Sequence, residues 1–188
     1  MADGVDVRPV TADRWDDLVS LFERPGPRGG TPMTAGCWCM WWRQRTGDAE
    51  QNKTNMHHLV ASGARPGLLA YRNGSPVGWV SIAPRETYGQ LMRSSRYRPT
   101  DDETGVYVIA CFYVHAADKR QGIANELLDA ALNHARECGA CAVDAYPNER
   151  PDYMGNRDDF EERGFRPLRG AGKRTVMRIS FDRPSTLG

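Results

Sequence analysis

The spacing of apolar and polar positions changes several times along the chain and predicts an alternation of strands and helices. The clearest helix lies at residues 123–138, where Ile123, Leu127, Ala131 and Ala135 repeat at every fourth position. Segments with helical spacing predict helices at 11–24, 49–63, 123–138 and 156–165. Short or alternating apolar runs predict strands at 5–10, at two places within 67–84, and at 105–114, 140–147 and 173–181.

Two local signals predict how these elements connect. Asn73-Gly74 separates the two apolar runs of residues 67–84, and this dipeptide favours a tight β-hairpin. The run 105–114 is almost continuously apolar, which is typical of a central strand covered on both faces. A strand, a long helix and another strand follow one another at 106–146, and such a crossover requires a parallel or mixed sheet with helical cover. The pattern therefore predicts an α/β (α+β) fold.

Composition narrows the class of protein. The 188 residues suffice for a single domain at 1–188, and their 40% hydrophobic and 26% charged content is that of an ordinary globular protein. The net charge of +1 gives no general attraction to nucleic acid or anionic membrane, and no apolar run reaches the roughly 20 residues of a membrane span. The N-terminal residues lack the layout of a signal peptide, and the five cysteines favour reduced thiols. We expect a cytoplasmic protein whose partners include neither nucleic acid nor membrane; a homodimer is one state that the sequence allows.

A basic turn with one glycine, Lys119-Arg120-Gln121-Gly122, leads directly from the central strand into the long helix. The first N–H groups of a helix have no partner inside it, and the helix dipole is positive there. Gly122 has no side chain, so an anion can approach the backbone. The turn alone is equally compatible with a tight connection whose cations face solvent.

The sequence around this turn resembles the GNAT family of N-acetyltransferases. The family's pyrophosphate loop is Arg/Gln-x-x-Gly-x-Gly/Ala, and the matching residues are Lys119 to Ala124, with Lys119 replacing the usual first residue. The likeness covers roughly residues 5–181 and is most specific at 106–165. It implies a central mixed, twisted sheet of about six to seven strands, flanked by about four helices, and acetyl-CoA as co-substrate. It also implies that the cofactor is bound by these residues: Phe112, Tyr113, Val114, Lys119, Arg120, Gln121, Gly122, Ile123, Ala124 and Asn125.

The resemblance departs from the family pattern at the usual acid. A tyrosine is expected before the closing Gly164-Phe165, but the matching aromatic residue is Phe160, which has no hydroxyl. We expect Tyr153 to replace it, with Tyr146 as second choice, although either tyrosine can equally be a packing residue. The thiolate can also leave without an acid, because a thiolate is already a good leaving group near neutral pH.

Carboxylates and tryptophans are the candidates for the acceptor side. The general base is expected among Asp101, Asp102 and Glu103 before the central strand, with Asp102 and Glu103 as the catalytic candidates. Glu86 and Asp144 are the alternatives for this role. Trp38, Trp41 and Trp42 have the spacing of one helical face, which favours core packing for at least two of them. Cys37 and Cys39 lack a second cysteine pair at zinc spacing, so no metal is expected. The predicted acceptor-binding residues are Trp41, Trp42, Glu86, Asp102, Glu103 and Asp144.

These features predict transfer of an acetyl group to the primary amine of a small cationic molecule, and an aminoglycoside-type antibiotic is the most specific candidate. Two alternatives remain open. The acceptor can be a protein or peptide amine, or the domain can bind acyl-CoA as a sensor without turnover.

Overall fold

The computed structural model describes residues 4–26 and 36–182. Its helices are α1 (Trp15–Glu23), α2 (Trp41–Gln44), α3 (Ala49–Ala61), α4 (Gly89–Arg93), α5 (Ile123–Glu137) and α6 (Arg157–Glu162). Its strands are β1 (Asp6–Pro9), β2 (Gly67–Arg72), β3 (Ser75–Pro84), β4 (Val106–Val114), β5 (Ala142–Ala145), β6 (Arg166–Ala171) and β7 (Arg174–Ser180). The strands form one mixed sheet in the order β1-β2-β3-β4-β5-β7-β6, which confirms the predicted fold class.

The two faces of the sheet are covered by different helices, because neighbouring strand residues point to opposite sides. Leu68 and Ala70 of β2 belong to the core under α5, which buries Ile123, Leu127, Leu128, Ala131, Leu132 and Ala135. Leu69 and Tyr71, the alternate residues, belong to the core that α1 and α3 share. This alternation explains why β2 is apolar at nearly every position.

The predicted hairpin is confirmed. Asn73 and Gly74 both have positive φ, +49° and +76°, as a type I′ turn between β2 and β3 requires.

Strand β4 is paired with β5 over only part of its length. The parallel register joins Val106–Ile109 to Ala142–Ala145, after which β5 ends while β4 continues to Val114. On the other edge, Ser81 lies opposite Cys111 and Ile82 opposite Ile109, so Ala110 is the extra residue of a bulge. We call Val106–Ile109 the paired half of β4 and Ala110–Val114 its open half. The open half leaves a gap in the sheet beyond the end of β5.

Three elements were not predicted. α2 and α4 have only four and five residues, which is too short for a periodic signal. β6 contains Pro167 and Gly170 and is largely exposed, as suits the last strand at the edge of the sheet. Among the described residues, no helix combines the length and apolar character needed to cross a membrane.

Candidate active site

A cavity of about 900 Å³ lies over the open half of β4. Its wall includes Cys111–Val114 of the strand, the turn that leads into α5, and the segment Pro151–Tyr153. All of the predicted cofactor-binding residues except Gln121 line this cavity. The side chain of Gln121 instead hydrogen-bonds to Arg72 and to the carbonyl of Ala117.

The turn before α5 has the geometry of an anion site. Arg120 and Gly122 both adopt positive φ, +60° and +78°. The N–H groups of Asn125 and Glu126 donate to the Gly122 carbonyl, so the preceding N–H groups at Ile123 and Ala124 begin the helix without an intrahelical acceptor. A Cβ at Gly122 would meet no heavy atom within 4 Å, so the space over the turn is open. Lys119 and Arg120 are exposed beside it, and the arrangement suits a phosphate group.

The open edge of β4 carries backbone donors. His115 N–H donates to Val77 on β3, and N–H direction alternates along a strand, so the N–H groups of Phe112 and Val114 point away from β3. Phe112 N–H donates to the carbonyl of Tyr153 at 2.5 Å. The protein's own loop therefore occupies one of the donors expected to serve the cofactor, while Val114 N–H faces the same open edge.

The hydroxyl of Tyr113 is a buried polar group in the cavity wall that a bound ligand would satisfy. It has no hydrogen-bond partner among residues 4–26 and 36–182. A buried hydroxyl normally has a partner. The amide groups of a pantetheine arm are of the kind that would satisfy it.

Tyr153 lies at the cavity wall, as a leaving-group acid requires. Its side chain is 42% exposed, and its ring lies 5.5 Å from Arg174, which also pairs with Asp152 at 2.6 Å. Partial burial raises the pKa of Tyr153, while Arg174 and the indole N–H of Trp42 lower it. The indole approaches the hydroxyl without completing a hydrogen bond of ordinary geometry. The raised pKa means that the phenol is protonated near neutral pH and can donate.

The other aromatic candidates lie elsewhere. Phe160 is fully buried and packs on Phe112 and Phe165, with ring centroids 6.3 and 5.0 Å apart. A Cβ at Gly155 would approach the Phe160 ring within 2.7 Å, and Gly155 has φ +98°, so the loop passes directly over Phe160. Tyr146 is 1% exposed, packs against Tyr97 and is not among the residues that line the cavity.

Most of the carboxylates that we predicted for base or acceptor roles are held by arginines instead. Arg178 binds Asp144 at 2.6 Å and Glu103 at 2.7 Å. Arg85 binds Asp101 at 3.0 Å. Burial raises the pKa of Asp144, and the hydrogen bond from Arg178 opposes that rise. This ion-pair cluster of Arg85, Asp101, Glu103, Asp144 and Arg178 flanks the paired half of β4, because Val108, Asp144 and Arg178 are in register.

None of the predicted carboxylates is among the residues lining the cavity. Asp102 is exposed near the cluster, and Glu86 borders a second, polar cavity with Arg43 and Arg93. Three other carboxylates, Asp118, Asp152 and Asp159, do line the main cavity. Asp102, Glu103, Glu86 and Asp144 are thus absent from the cavity wall that contains Tyr153. Nothing in the structure supports their predicted roles as general base or as acceptor-binding residues.

The three tryptophans do not share one helical face. α2 begins only at Trp41, and Trp38 precedes it with φ +48°, in the core against Phe22. Trp42 packs against Tyr97 at 5.3 Å. Only Trp41 lines the cavity; it is 41% exposed and lies beneath the Arg45 guanidinium at 3.8 Å.

Sequence reasoning missed three cysteines of the cavity wall, Cys37, Cys39 and Cys111. The Cys-x-Cys pattern of the first two suggests metal ligands at most, and nothing in their spacing relates them to a strand far along the chain.

Comparisons with known proteins identify the family and the fold of the chain. A family model described as "Acetyltransferase (GNAT) family" matches residues 18–165. No curated protein shows significant sequence similarity to the chain.

Solved structures of acetyltransferases share the fold. PaiA N-acetyltransferase from Thermoplasma acidophilum, in complex with coenzyme A, is 12% identical with a TM-score of 0.54 and covers 95% of this chain and 99% of its own. A GNAT family acetyltransferase from Brucella melitensis, in complex with acetyl-CoA, is 15% identical with a TM-score of 0.54 and covers 96% and 90%. Ribosomal-protein-alanine N-acetyltransferase from Brucella melitensis is 17% identical with a TM-score of 0.55 and covers 94% and 99%.

Proposed function

Because this chain belongs to the acetyltransferase (GNAT) family, we propose that it transfers the acetyl group of acetyl-CoA to the primary amine of a small molecule. The observation that carries this proposal is the open, basic turn at Lys119–Gly122, set at one end of a cavity whose wall also contains Tyr153. The neighbours with coenzyme A or acetyl-CoA have the same fold and support the choice of donor.

The donor fits the cavity from the turn inward. Ile123 and Ala124 N–H groups, with Lys119 and Arg120, would bind the pyrophosphate. Val114 N–H and the Tyr113 hydroxyl would bind the amides of the pantetheine arm. The thioester would then lie near Cys111 and Phe112, within the part of the wall that Tyr153 shares.

Transfer needs a neutral amine, a donor for the oxyanion and a proton for the departing thiolate. A neutral amine attacks the carbonyl, and the N–H of Phe112, once released from the carbonyl of Tyr153, would stabilise the oxyanion. Tyr153 then donates its proton to the sulfur as the tetrahedral intermediate collapses. With Glu103 and Asp144 engaged by Arg178, we assign no side chain as base; the amine can lose its proton to water.

We retain a cationic amine as the preferred acceptor. Asp159 lines the cavity and would favour a positive charge, whereas Asp152 in the same wall is paired with Arg174. Trp41 offers an aromatic face at the cavity wall. An aminoglycoside-type antibiotic remains the most specific candidate in this class. A protein or peptide amine and an acyl-CoA sensor without turnover are the alternatives that the assay must separate.

The test is thiol release from acetyl-CoA with a panel of aminoglycosides, polyamines, aromatic amines and peptides. We expect release with at least one small cationic amine. Preference for a peptide would overturn the acceptor class, and binding without release to any amine would favour the sensor.

The donor site is tested by calorimetry with Gly122→Asp and a matched control, Gly122→Asn. Both substitutions place a side chain of similar size at a left-handed position that Asn and Asp tolerate better than other residues. Only Asp adds negative charge, so we expect it to lower CoA affinity at least about tenfold below the Asn variant, or about 1.4 kcal/mol. Equal affinities in the two variants would refute the anion site.

A further inference from the structure

Two of the cysteines in the cavity wall touch each other. Cys39 lies in the turn before α2, and Cys111 lies in the open half of β4. The thiols of Cys39 and Cys111 are close enough to hydrogen-bond, the Cys111 thiol also donates to the carbonyl of Phe112 at 3.8 Å, and both residues line the same cavity as Tyr153. Elements far apart in sequence thus place two thiols in contact at the end where the thioester would lie.

Sγ of Cys39 is surrounded by donors from one face of the sheet. The indole N–H of Trp79 donates to it at 3.1 Å. Ser81 lies directly opposite Cys111 in the β3–β4 register, and Trp79 lies two residues before Ser81 on the same face. The hydroxyl of Ser81 is also close enough to Cys39 to hydrogen-bond with it.

These contacts shift the pKa values of the two thiols in opposite directions. The hydrogen bond from Cys111 is the largest influence that lowers the pKa of Cys39, followed by that from Trp79, and burial opposes both. The same hydrogen bond, together with burial, raises the pKa of Cys111. The thiolate is the reactive form of cysteine, and the indole N–H of Trp79, 3.1 Å from Cys39 Sγ, would stabilise a thiolate there. We therefore assign Cys39 as the nucleophile and Cys111 as the neighbouring thiol.

The backbone at Cys39 is constrained. Trp38 and Cys39 are consecutive non-glycine residues with φ of +48° and +56°. Left-handed conformation costs about 1–2 kcal/mol for each such residue. The burial of Trp38 in the core stabilises this conformation, and Cys39 packs against the same core cluster.

We propose that Cys39 and Cys111 form a thiol modification site at which a hydroperoxide produces a reversible disulfide that stops acetyl transfer. The Cys39 thiolate attacks one peroxide oxygen, the O–O bond breaks, and a sulfenic acid and hydroxide form. The Cys111 sulfur then attacks the Cys39 sulfur and displaces the second oxygen, which leaves as water once protonated. Two thiols thus lose two protons and two electrons, and hydrogen peroxide becomes two molecules of water.

The disulfide would alter the acetyl end of the cavity and leave the phosphate end unchanged. The sulfurs would move from hydrogen-bond contact to the bond length of about 2.05 Å. Cys39 would withdraw from Trp79, and the turn before α2 would be tied to β4 beside Phe112. The consequence for activity rests on the proposed function, whereas formation of the bond does not.

The experiment treats the reduced protein with hydrogen peroxide and maps its disulfides by mass spectrometry of unreduced peptides. We expect a Cys39–Cys111 linkage that dithiothreitol removes. We also expect thiol release to fall at least about tenfold on oxidation and to recover on reduction, with CoA affinity changed less than about threefold.

Cys39→Ser and Cys111→Ser should each abolish the linkage and the peroxide sensitivity. Cys37→Ser is the matched control, because Cys37 lines the same cavity but burial raises its pKa; this variant should still form the linkage. If one serine variant fails to fold, as judged by circular dichroism, the other variant and the peptide map decide. Absence of the Cys39–Cys111 peptide after peroxide overturns the proposal. A protein that forms the linkage but has no transferase activity leaves the site standing and refutes the proposed function.

Discussion

Strand β4 has a strand on both edges between Val106 and Ile109, but further along β3 is its only neighbouring strand among the described residues. Charged residues accompany both halves. Beside the paired half, Arg178 and Arg85 meet Asp144, Glu103 and Asp101 within 2.6–3.7 Å. Beside the open half, Lys119 and Arg120 are exposed next to open space at Gly122.

The comparison distinguishes charged residues that pair with one another and stabilise the fold from charged residues that remain available to bind a ligand. A buried carboxylate is costly unless it is paired, and Asp144, the buried carboxylate beside the paired half, is paired with Arg178 and lies 3.7 Å from Arg85. The turn before α5 has backbone donors and cations that together suit an external anion. Three predictions test this division.

The largest effect is expected on stability from Arg178→Met. The substitution leaves Asp144, whose side chain is 3% exposed, with only the more distant Arg85 at 3.7 Å. Removing one partner of a buried pair costs about 3–5 kcal/mol of unfolding free energy. Urea denaturation measures this loss.

Arg157→Met is the control for Arg178→Met, because the Arg157–Glu161 pair is 41% exposed on both sides and should contribute at most about 1 kcal/mol. Equal losses in the two variants would show that the cluster beside the paired half is not a stabilising unit.

A somewhat smaller effect is expected on catalysis from Tyr153→Phe. The change removes the proposed acid, and we expect kcat to fall about 100-fold, the low end for a lost proton transfer, because a thiolate leaves readily. Affinity for acetyl-CoA and the unfolding free energy should change little, since the hydroxyl completes no hydrogen bond of ordinary geometry.

Tyr146→Phe is the control for this variant, because Tyr146 is outside the cavity wall and should have the milder effect on kcat. Unchanged kcat in both variants would mean that the thiolate leaves without a side-chain acid.

The smallest effect is expected on CoA affinity from Arg120→Gln. Loss of one exposed cation beside a phosphate should weaken binding about fivefold, or about 1 kcal/mol, and the difference should shrink at high salt. Arg136→Gln removes the same charge near the other end of α5 and should leave affinity unchanged. Calorimetry at two ionic strengths measures the CoA affinity of both variants. Equal affinities would contradict the idea that the charge of Arg120 is available to bind the ligand.

The sequence was sufficient for the parts of the fold that follow local rules. The period of α5, the apolar run of β4 and the Asn73-Gly74 turn are each determined by neighbouring residues, and each is confirmed. β6 was missed because an exposed edge strand needs no alternating pattern, and Pro167 and Gly170 disfavour the prediction.

The candidate site was predictable only where it is contiguous in sequence. The turn 119–125 was predicted to bind the cofactor because its glycine, its cations and the helix that follows are adjacent in sequence. The partner of Glu103 lies 75 positions away at Arg178, so no local pattern showed that this carboxylate is already paired. Cys39 and Cys111 escaped for the same reason, since only folding brings β4 beside the turn before α2.

The hydrogen bond from Phe112 N–H to the Tyr153 carbonyl has a consequence for turnover. A thioester carbonyl can take Phe112 N–H only by exchanging with the carbonyl already there. The net contribution of such an exchange is smaller than the roughly 0.5–1.5 kcal/mol of a newly formed hydrogen bond. Acetyl-CoA therefore gains little at Phe112 over CoA, which has no acetyl carbonyl and leaves the bond intact. Free CoA should compete almost equally with the donor, so the rate in the cell would follow the ratio of acetyl-CoA to CoA rather than the concentration of acetyl-CoA alone.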